Sequence, residues 1–508
     1  MAGIYSYNKI AKNTVMLYIR MIVMMVITFY TTRVLLSYLG VEDFGIFNVL
    51  MGVITMFSFV STSMTVATQR FISYEIGRNN FEMVKQVFSA SIYIYIIAII
   101  ISIVLFETIG LWYVINYINV PDGRQSAALI VYQLTIIQFI FMTIRIPYNS
   151  AVIAYEKMSF YAYMSIVEAV LSLTLIYLLI VFNGDKLIIY SILLATSKVI
   201  IHYVYVAYCR KATAECRLMP YRDIDNSTFK EIFSFSGWNI FGSLAVTANN
   251  QGINLIINYF AGVIVNASVG ISTQLTMGLY NLVGNLQTAF NPQLIKLYAA
   301  QEYDSFRVLL FRNSRYCFYL FLLILIPLYT TIDYALFLWL GKECVYAVEF
   351  CRCMLVFLAI ESLAYPLTVA IQANGKIQLY QKVSGILFLS LVPISWGLCK
   401  IGLSPISIFV ARIFQNIAIF ILRYLYIQRV LHFDISNFFK QVILPCSFVT
   451  IISFPIPLAV YNIGGTSLIS FIGTICVSIL IVSITVYRFG LSSNERDSIK
   501  NIIKSKLK

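Results

Sequence analysis

Seven basic side chains fall inside the long apolar stretches of this 508-residue chain: Arg20, Arg33, Arg145, Lys198, Arg352, Arg412 and Arg423. A cation at the centre of a bilayer-spanning helix costs roughly 2.5–3.5 kcal/mol on insertion scales, so such residues usually face a bundle interior or water. Their chemistry would be the holding of an anion. An arginine fork grips two oxygens of a phosphate or carboxylate at once. Each has a structural alternative. Arg423 lies close to a helix end and is expected to snorkel to the headgroups. Arg20 and Arg33 lie about 10 Å by helical rise from the middle of their helix, within reach of the same rescue. Arg145 stands beside Pro147 near another helix end. Lys198 and Arg412 sit closest to mid-helix, where snorkelling is hardest.

The acids in the same stretches are fewer: Glu168, Glu349 and Glu361. Glu349 and Arg352 are three apart, the spacing of an intrahelical pair. Glu168 and Glu361 have no local partner, so either could carry a proton for ion coupling or neutralise a buried arginine. His202 joins them as a titrating candidate, four residues from Lys198 on one helix face; near a helix end it could equally be an interfacial polar group. Amides cluster in "TANNQGIN", as Asn249, Asn250, Gln251 and Asn254, and recur as Gln274, Gln287, Gln415 and Asn416. Amides in hydrocarbon demand partners, which would be other helices or a polar ligand such as a glycan. No nucleophile with a base and no paired carboxylates appear, so no enzyme is expected. Two histidines and nine cysteines, mostly inside apolar runs, predict neither a metal site nor a disulfide framework. No cofactor is expected.

The elements that must position these groups follow from composition. The chain is 60% hydrophobic and 11% charged, with mean hydropathy +0.83; a soluble domain is about 45–50% apolar and about 25% charged. The expectation is an all-α polytopic membrane protein with about 14 transmembrane helices. They are placed near residues 13–38, 44–67, 89–112, 127–152, 161–182, 187–208, 238–260, 266–290, 315–339, 345–372, 378–399, 404–427, 441–461 and 466–487. The net charge of +14 does not indicate nucleic acid, because the basic residues lie in short loops. Four fall in the odd-numbered loops (Arg124, Lys186, Lys342, Lys400) and 25 in the even-numbered loops and the ends. The positive-inside rule then puts both termini in the cytoplasm. A polar connection over 209–237 separates an N-terminal six-helix lobe, 1–208, from a C-terminal one, 238–440. Two helices over 441–487 carry no charge and read as a lipid-facing addition. A basic cytoplasmic tail occupies 488–508.

The halves are related. "YLGVEDFGIFNV" near Tyr38 is answered by "YFAGVIVNASVGIST" near Tyr259, and "RIPYNSAVIAYEKMSFYAY" by "AYPLTVAIQANGKIQLYQK", aligning Pro147 with Pro366 and Lys157 with Lys376. The offset stays within a few residues of 220. An even-numbered repeat gives both copies one orientation in the membrane.

The stretch over 35–80, with "RIPYNSAVIAYEKM" and "NPQLIKLYA", resembles bacterial polysaccharide (O-antigen or capsule repeat-unit) flippases of the multidrug/oligosaccharidyl-lipid/polysaccharide exporter superfamily. The resemblance implies two six-helix lobes in a V shape with two further helices. It implies that an undecaprenyl-diphosphate-linked oligosaccharide moves from the cytoplasmic to the outer leaflet of the bacterial inner membrane by alternating access. Such transport would serve cell-surface polysaccharide assembly, with other assembly proteins as possible partners. It also implies a cationic cavity, matched here by depth to Arg20, Arg33, Arg145, Lys198 and Arg412. Two other readings stand beside it: a drug/cation antiporter of the same fold, and a membrane glycan polymerase. Helix 1 carries Arg20 and Arg33 and no acid, which argues against a cationic cargo. No outer loop is long enough for a polymerase active site. The sugars carried and the driving force are not legible.

Overall fold

A computed structural model describes residues 7–55, 58–117, 120–121, 123–341, 345–431, 435–492 and 495–497. Lys342, Asp122, His432 and most of the basic tail lie outside them. The chain is nearly all helix: α1 (Tyr7–Thr55), α2 (Ser58–Gly77), α3 (Phe81–Leu105), α4 (Leu111–Tyr117), α5 (Gln125–Ile144), α6 (Ile146–Ala154), α7 (Met158–Leu178), α8 (Lys186–Ala212), α9 (Asn226–Ala299), α10 (Tyr303–Thr330), α11 (Ile332–Leu340), α12 (Ala347–Asn374), α13 (Gln378–Lys400), α14 (Ile406–Leu431), α15 (Ile435–Phe438), α16 (Leu444–Ser453), α17 (Pro455–Gly464) and α18 (Leu468–Thr485). Side-chain caps begin several of them. Asn80 accepts the Met83 amide, Asp185 those of Leu187 and Ile188, and Asp225 that of Ser227.

Among the described residues 11 helices are long and apolar enough to cross a membrane. The expected helices missing from that number, near 44–67, 238–260 and 266–290, are helical wherever they are described, the first divided between α1 and α2. They are fused into longer elements. α1 is interrupted only at Gly40 (φ 77°, ψ 173°) and α9 only at Gly262 (φ 80°, ψ 176°). A side chain is strained at such a φ. Open space surrounds both positions, so the backbone angle alone calls for glycine.

The repeat extends to these details. Gly40 and Gly262 are 222 positions apart, as are Asn79 (φ 56°) and Gln301 (φ 61°), which close α2 and α9. Helices start 222 positions apart at Phe81 and Tyr303 and again at Gln125 and Ala347. They start 220 apart at Met158 and Gln378 and at Lys186 and Ile406.

The chain forms two compact units. The first is Met1–Ser243 with Thr288–Gln301, and the second is Leu244–Gln287 with Glu302–Lys508. In the first, α1 packs on α7 and α5, α5 on α8, and α2 on α6. Leu50, Phe106, Tyr132 and Ile176 are fully buried at its core. Leu17, Ile153 and Met158 enclose Ala289. Lys296 reaches Glu156 at 2.6 Å, and Gln293 reaches the same carboxylate at 3.3 Å. At one end Arg124 bridges Asp43 on α1 and Asp185, the cap of α8; these bonds hold its guanidinium above its ordinary pKa, against the opposing effect of burial.

In the second unit α12 packs on α14 and α10. Phe350 stacks on Phe409 at 4.1 Å within a cluster that includes Ile257 and Leu391. The last helices turn one side to this unit and the other outward. Ser470, Thr474, Ser478 and Val482 form a buried seam on α18, while Ile463 is 88% exposed and Ile469 85%. Large aliphatic side chains bared along whole helices suit hydrocarbon, where only the backbone must be satisfied internally.

Candidate functional site

In the first unit the charged groups converge on one carboxylate. Glu168, on α7, accepts from Lys198 Nζ at 2.6 Å through Oε1 and from Arg145 Nη1 at 3.1 Å through Oε2. Arg145 can point there because it stands at the joint between α5 and α6, where Pro147 starts the new helix. Its guanidinium also lies 5.4 Å from the Tyr205 ring centre. Arg20 covers Tyr161 at 4.5 Å, with its Nε buried and unbonded. Tyr205 lies within electrostatic reach of Arg145, Tyr161, Glu168 and Arg20 together. Two cations thus hold one acid, from the α5–α6 joint and α8 onto α7, and Arg20 of α1 lies against Tyr161 of the same helix as the acid.

His202 is buried one turn from Lys198, among Phe141, Tyr148 and Tyr203 at 5.3–5.8 Å between ring centres. Its Nδ1 has no hydrogen-bond partner. Arg33 is exposed on α1.

In the second unit Arg412 of α14 donates to Asn250 Oδ1 of α9 at 2.7 Å and lies 5.1 Å from the Phe357 ring centre on α12. Among the described residues no carboxylate stands within 4 Å of it. The neighbouring amides are otherwise occupied. Gln415 donates to the carbonyls of Leu387 and Phe388, and Asn416 to that of Phe357. Asn254 contacts Gln251 at 3.5 Å. Asn249 is buried with its Oδ1 unmet, and Gln274 is exposed.

Two expectations are corrected. Arg423 does not snorkel: it is 6% exposed, bonds both oxygens of Glu361 at 2.9 and 3.0 Å, and donates through Nε to Tyr380. α14 turns this residue inward, toward a carboxylate on α12 that sequence spacing could not pair with it. Glu349 and Arg352 form no ion pair; Arg352 turns instead to the Tyr329 ring, 5.8 Å away. The tyrosines that frame the cations, Tyr161, Tyr205 and Tyr380, were not anticipated. The chain has 36 tyrosines, and nothing local marks these three.

Comparison with known proteins follows this geometry. Residues 17–178 match the MatE family model. No curated protein sequence matches the chain. Among solved structures, a multidrug resistance MATE family transporter of the MOP superfamily in an outward-facing conformation is 14% identical. The similarity covers 85% of this chain and 96% of that one, with a TM-score of 0.69. A MATE structure in the bent conformation is 16% identical over 85% of this chain and 97% of that one, with a TM-score of 0.67. A MOP superfamily transporter from Pyrococcus furiosus Vc1 (DSM3638) is 15% identical over 84% of this chain and 96% of that one, with a TM-score of 0.66. It is described as having a binding pocket of reverse polarity that suggests a different function. At these identities the likeness concerns the fold, and on that basis the chain is a multi-pass membrane protein that matches the MatE family model over residues 17–178 and has the fold of MATE/MOP superfamily transporters.

Proposed function

We propose that this protein exports an anionic lipid-linked saccharide: an undecaprenyl-diphosphate-linked oligosaccharide repeat unit, moved from the cytoplasmic to the outer leaflet of a bacterial inner membrane by alternating access. The observation that carries this reading is the excess of cation over carboxylate at membrane depth. Arg145 and Lys198 share Glu168, Arg20 has only a tyrosine ring, and Arg412 has only an amide. A transporter of cationic drugs needs the opposite balance, since a buried cation repels a cationic cargo and leaves it without a counter-charge. A diphosphate suits what is present. The amides on α9 offer hydrogen bonds to sugar hydroxyls. No bond is made or broken, so the protein acts as a carrier and not as an enzyme. The basic loops support cytoplasmic termini, and the oligosaccharide-lipid is the partner, passed on to polysaccharide assembly proteins.

The test is reconstitution. Proteoliposomes containing a fluorescent prenyl-diphosphate oligosaccharide should show protein-dependent movement of the label to the other leaflet, read by quenching with an impermeant reductant. Uptake of ethidium by the same vesicles should be absent. Ethidium transport without lipid movement would establish the drug-antiporter reading instead.

A further inference from the structure

Among the described cations of the apolar helices, Lys198, Arg145 and Arg423 each have a carboxylate, whereas Arg412, like Arg20 and Arg352, has none. Lys198 and Arg145 take one oxygen each of Glu168, at 2.6 and 3.1 Å. Arg423 takes both oxygens of Glu361 and the Tyr380 hydroxyl. These groups are satisfied from within the chain. Arg412 is not. Of its five N–H donors, one bond is seen, to Asn250. The residue is only partly buried, and its guanidinium makes no second hydrogen bond among the described residues. An amide oxygen offers a dipole and no charge. A guanidinium inside a membrane span, backed by the face of Phe357 and gathered by three helices, is a prepared half of an ion pair whose other half is not in the described protein.

In the first unit the two oxygens of Glu168 stand between two cations as two oxygens of a phosphate would. A ligand phosphate can engage Arg145 and Lys198 only by displacing that carboxylate. We infer that Arg412, with Asn250 and Phe357, is the resting seat of the ligand's diphosphate, and that Glu168 is a built-in substitute anion that keeps Arg145 and Lys198 occupied until cargo displaces it. The inference deepens the export reading and rests on it for the identity of the anion.

The experiment is calorimetric titration of the purified full-length protein in nanodiscs with farnesyl diphosphate, a short prenyl diphosphate. The wild type should bind one equivalent. Arg412→Gln, which keeps polarity and removes charge, should weaken that binding by about tenfold or more, and Arg412→Lys should restore part of it. Glu168→Gln should expose a second equivalent. That second equivalent should vanish when Arg145→Ala is added, and Glu168→Gln with Arg412→Gln should bind one. Melting curves in the same nanodiscs separate loss of binding from loss of fold. Unchanged affinity in Arg412→Gln, or a single equivalent in Glu168→Gln, would overturn the inference while leaving the export reading in place. No binding by the folded wild type would remove both.

Discussion

At the scale of residues, two arginines eleven positions apart on α14 illustrate opposite fates of a buried charge. Arg423 is paired and Arg412 is not. Breaking a buried pair from one side leaves its partner charged and stranded, at about 3–5 kcal/mol. Arg423→Ala is therefore expected to lower the unfolding temperature of the purified protein markedly, and Glu361→Gln to lower it too. Arg412→Gln should leave it nearly unchanged or raise it, because no counter-charge is orphaned. Glu495 gives a pH test outside the spans. Burial alone would raise its pKa, but the Ser492 amide at 2.8 Å, with Arg315 at 2.8 Å and Arg312 at 3.0 Å, holds it below the ordinary glutamate value. A carboxyl depressed in the folded state stabilises above its unfolded pKa of about 4.3, and that contribution fades as pH falls through the lower folded value. The unfolding temperature should decline over that acidic window in the wild type, and the decline should shrink in Glu495→Gln. The cations themselves were legible in the sequence because a charge in an apolar run is conspicuous. Their partners were not, since Glu168 lies 23 residues from Arg145 and 30 from Lys198.

At the scale of elements, the packing of α9 is the feature to probe. Its last segment, Thr288–Gln301, belongs to the first unit. Gly77, at the end of α2, sits so close there that an added Cβ would meet the Lys296 carbonyl oxygen at 2.5 Å and its Cα at 2.7 Å. Both neighbours are backbone, so neither can swing away. Gly77→Val should cost several kcal/mol through overpacking, seen as a large drop in folded yield and melting temperature. Gly237→Val, with nothing near its Cβ, is the control and should be tolerated, with if anything a small gain in α9 helix propensity. The helix positions themselves followed from apolar run length. The fusion of neighbouring helices into α1 and α9 did not. A single glycine turn reads in sequence like any short loop, and its consequence depends on whether the helical ladder resumes on the far side.

At the scale of the whole molecule, the asymmetry of basic loops predicts sidedness, and burial decides how to measure it. Cys209 and Cys216 are only 2% and 1% exposed, so a thiol reagent would miss them from either side. Exposed positions serve better. With the native thiols retained, Asn183→Cys should react with an impermeant maleimide on intact cells, whereas Arg222→Cys should react only after lysis. The reverse pattern would invert the topology drawn from the positive-inside rule. The repeat is also a whole-molecule property. Its offset was visible in two pairs of short segments, and the structure extends it to helix starts and left-handed residues.

The sequence by itself determined the solvent, the class of fold and the duplication. Each rests on quantities summed over many residues: hydropathy over some twenty positions, charge over alternating loops, similarity over a constant offset. Sums of that kind survive local error. What the tertiary structure alone decided is which buried charges are neutralised. That depends on whether two side chains far apart in the chain meet within about 3 Å, and on the rotation of each helix about its axis. Neither leaves a local trace. Arg423 and Arg412 look alike in sequence, each a lone arginine in an apolar helix. Only the packing of α14 on α12 and α9 gives one a carboxylate and the other an amide.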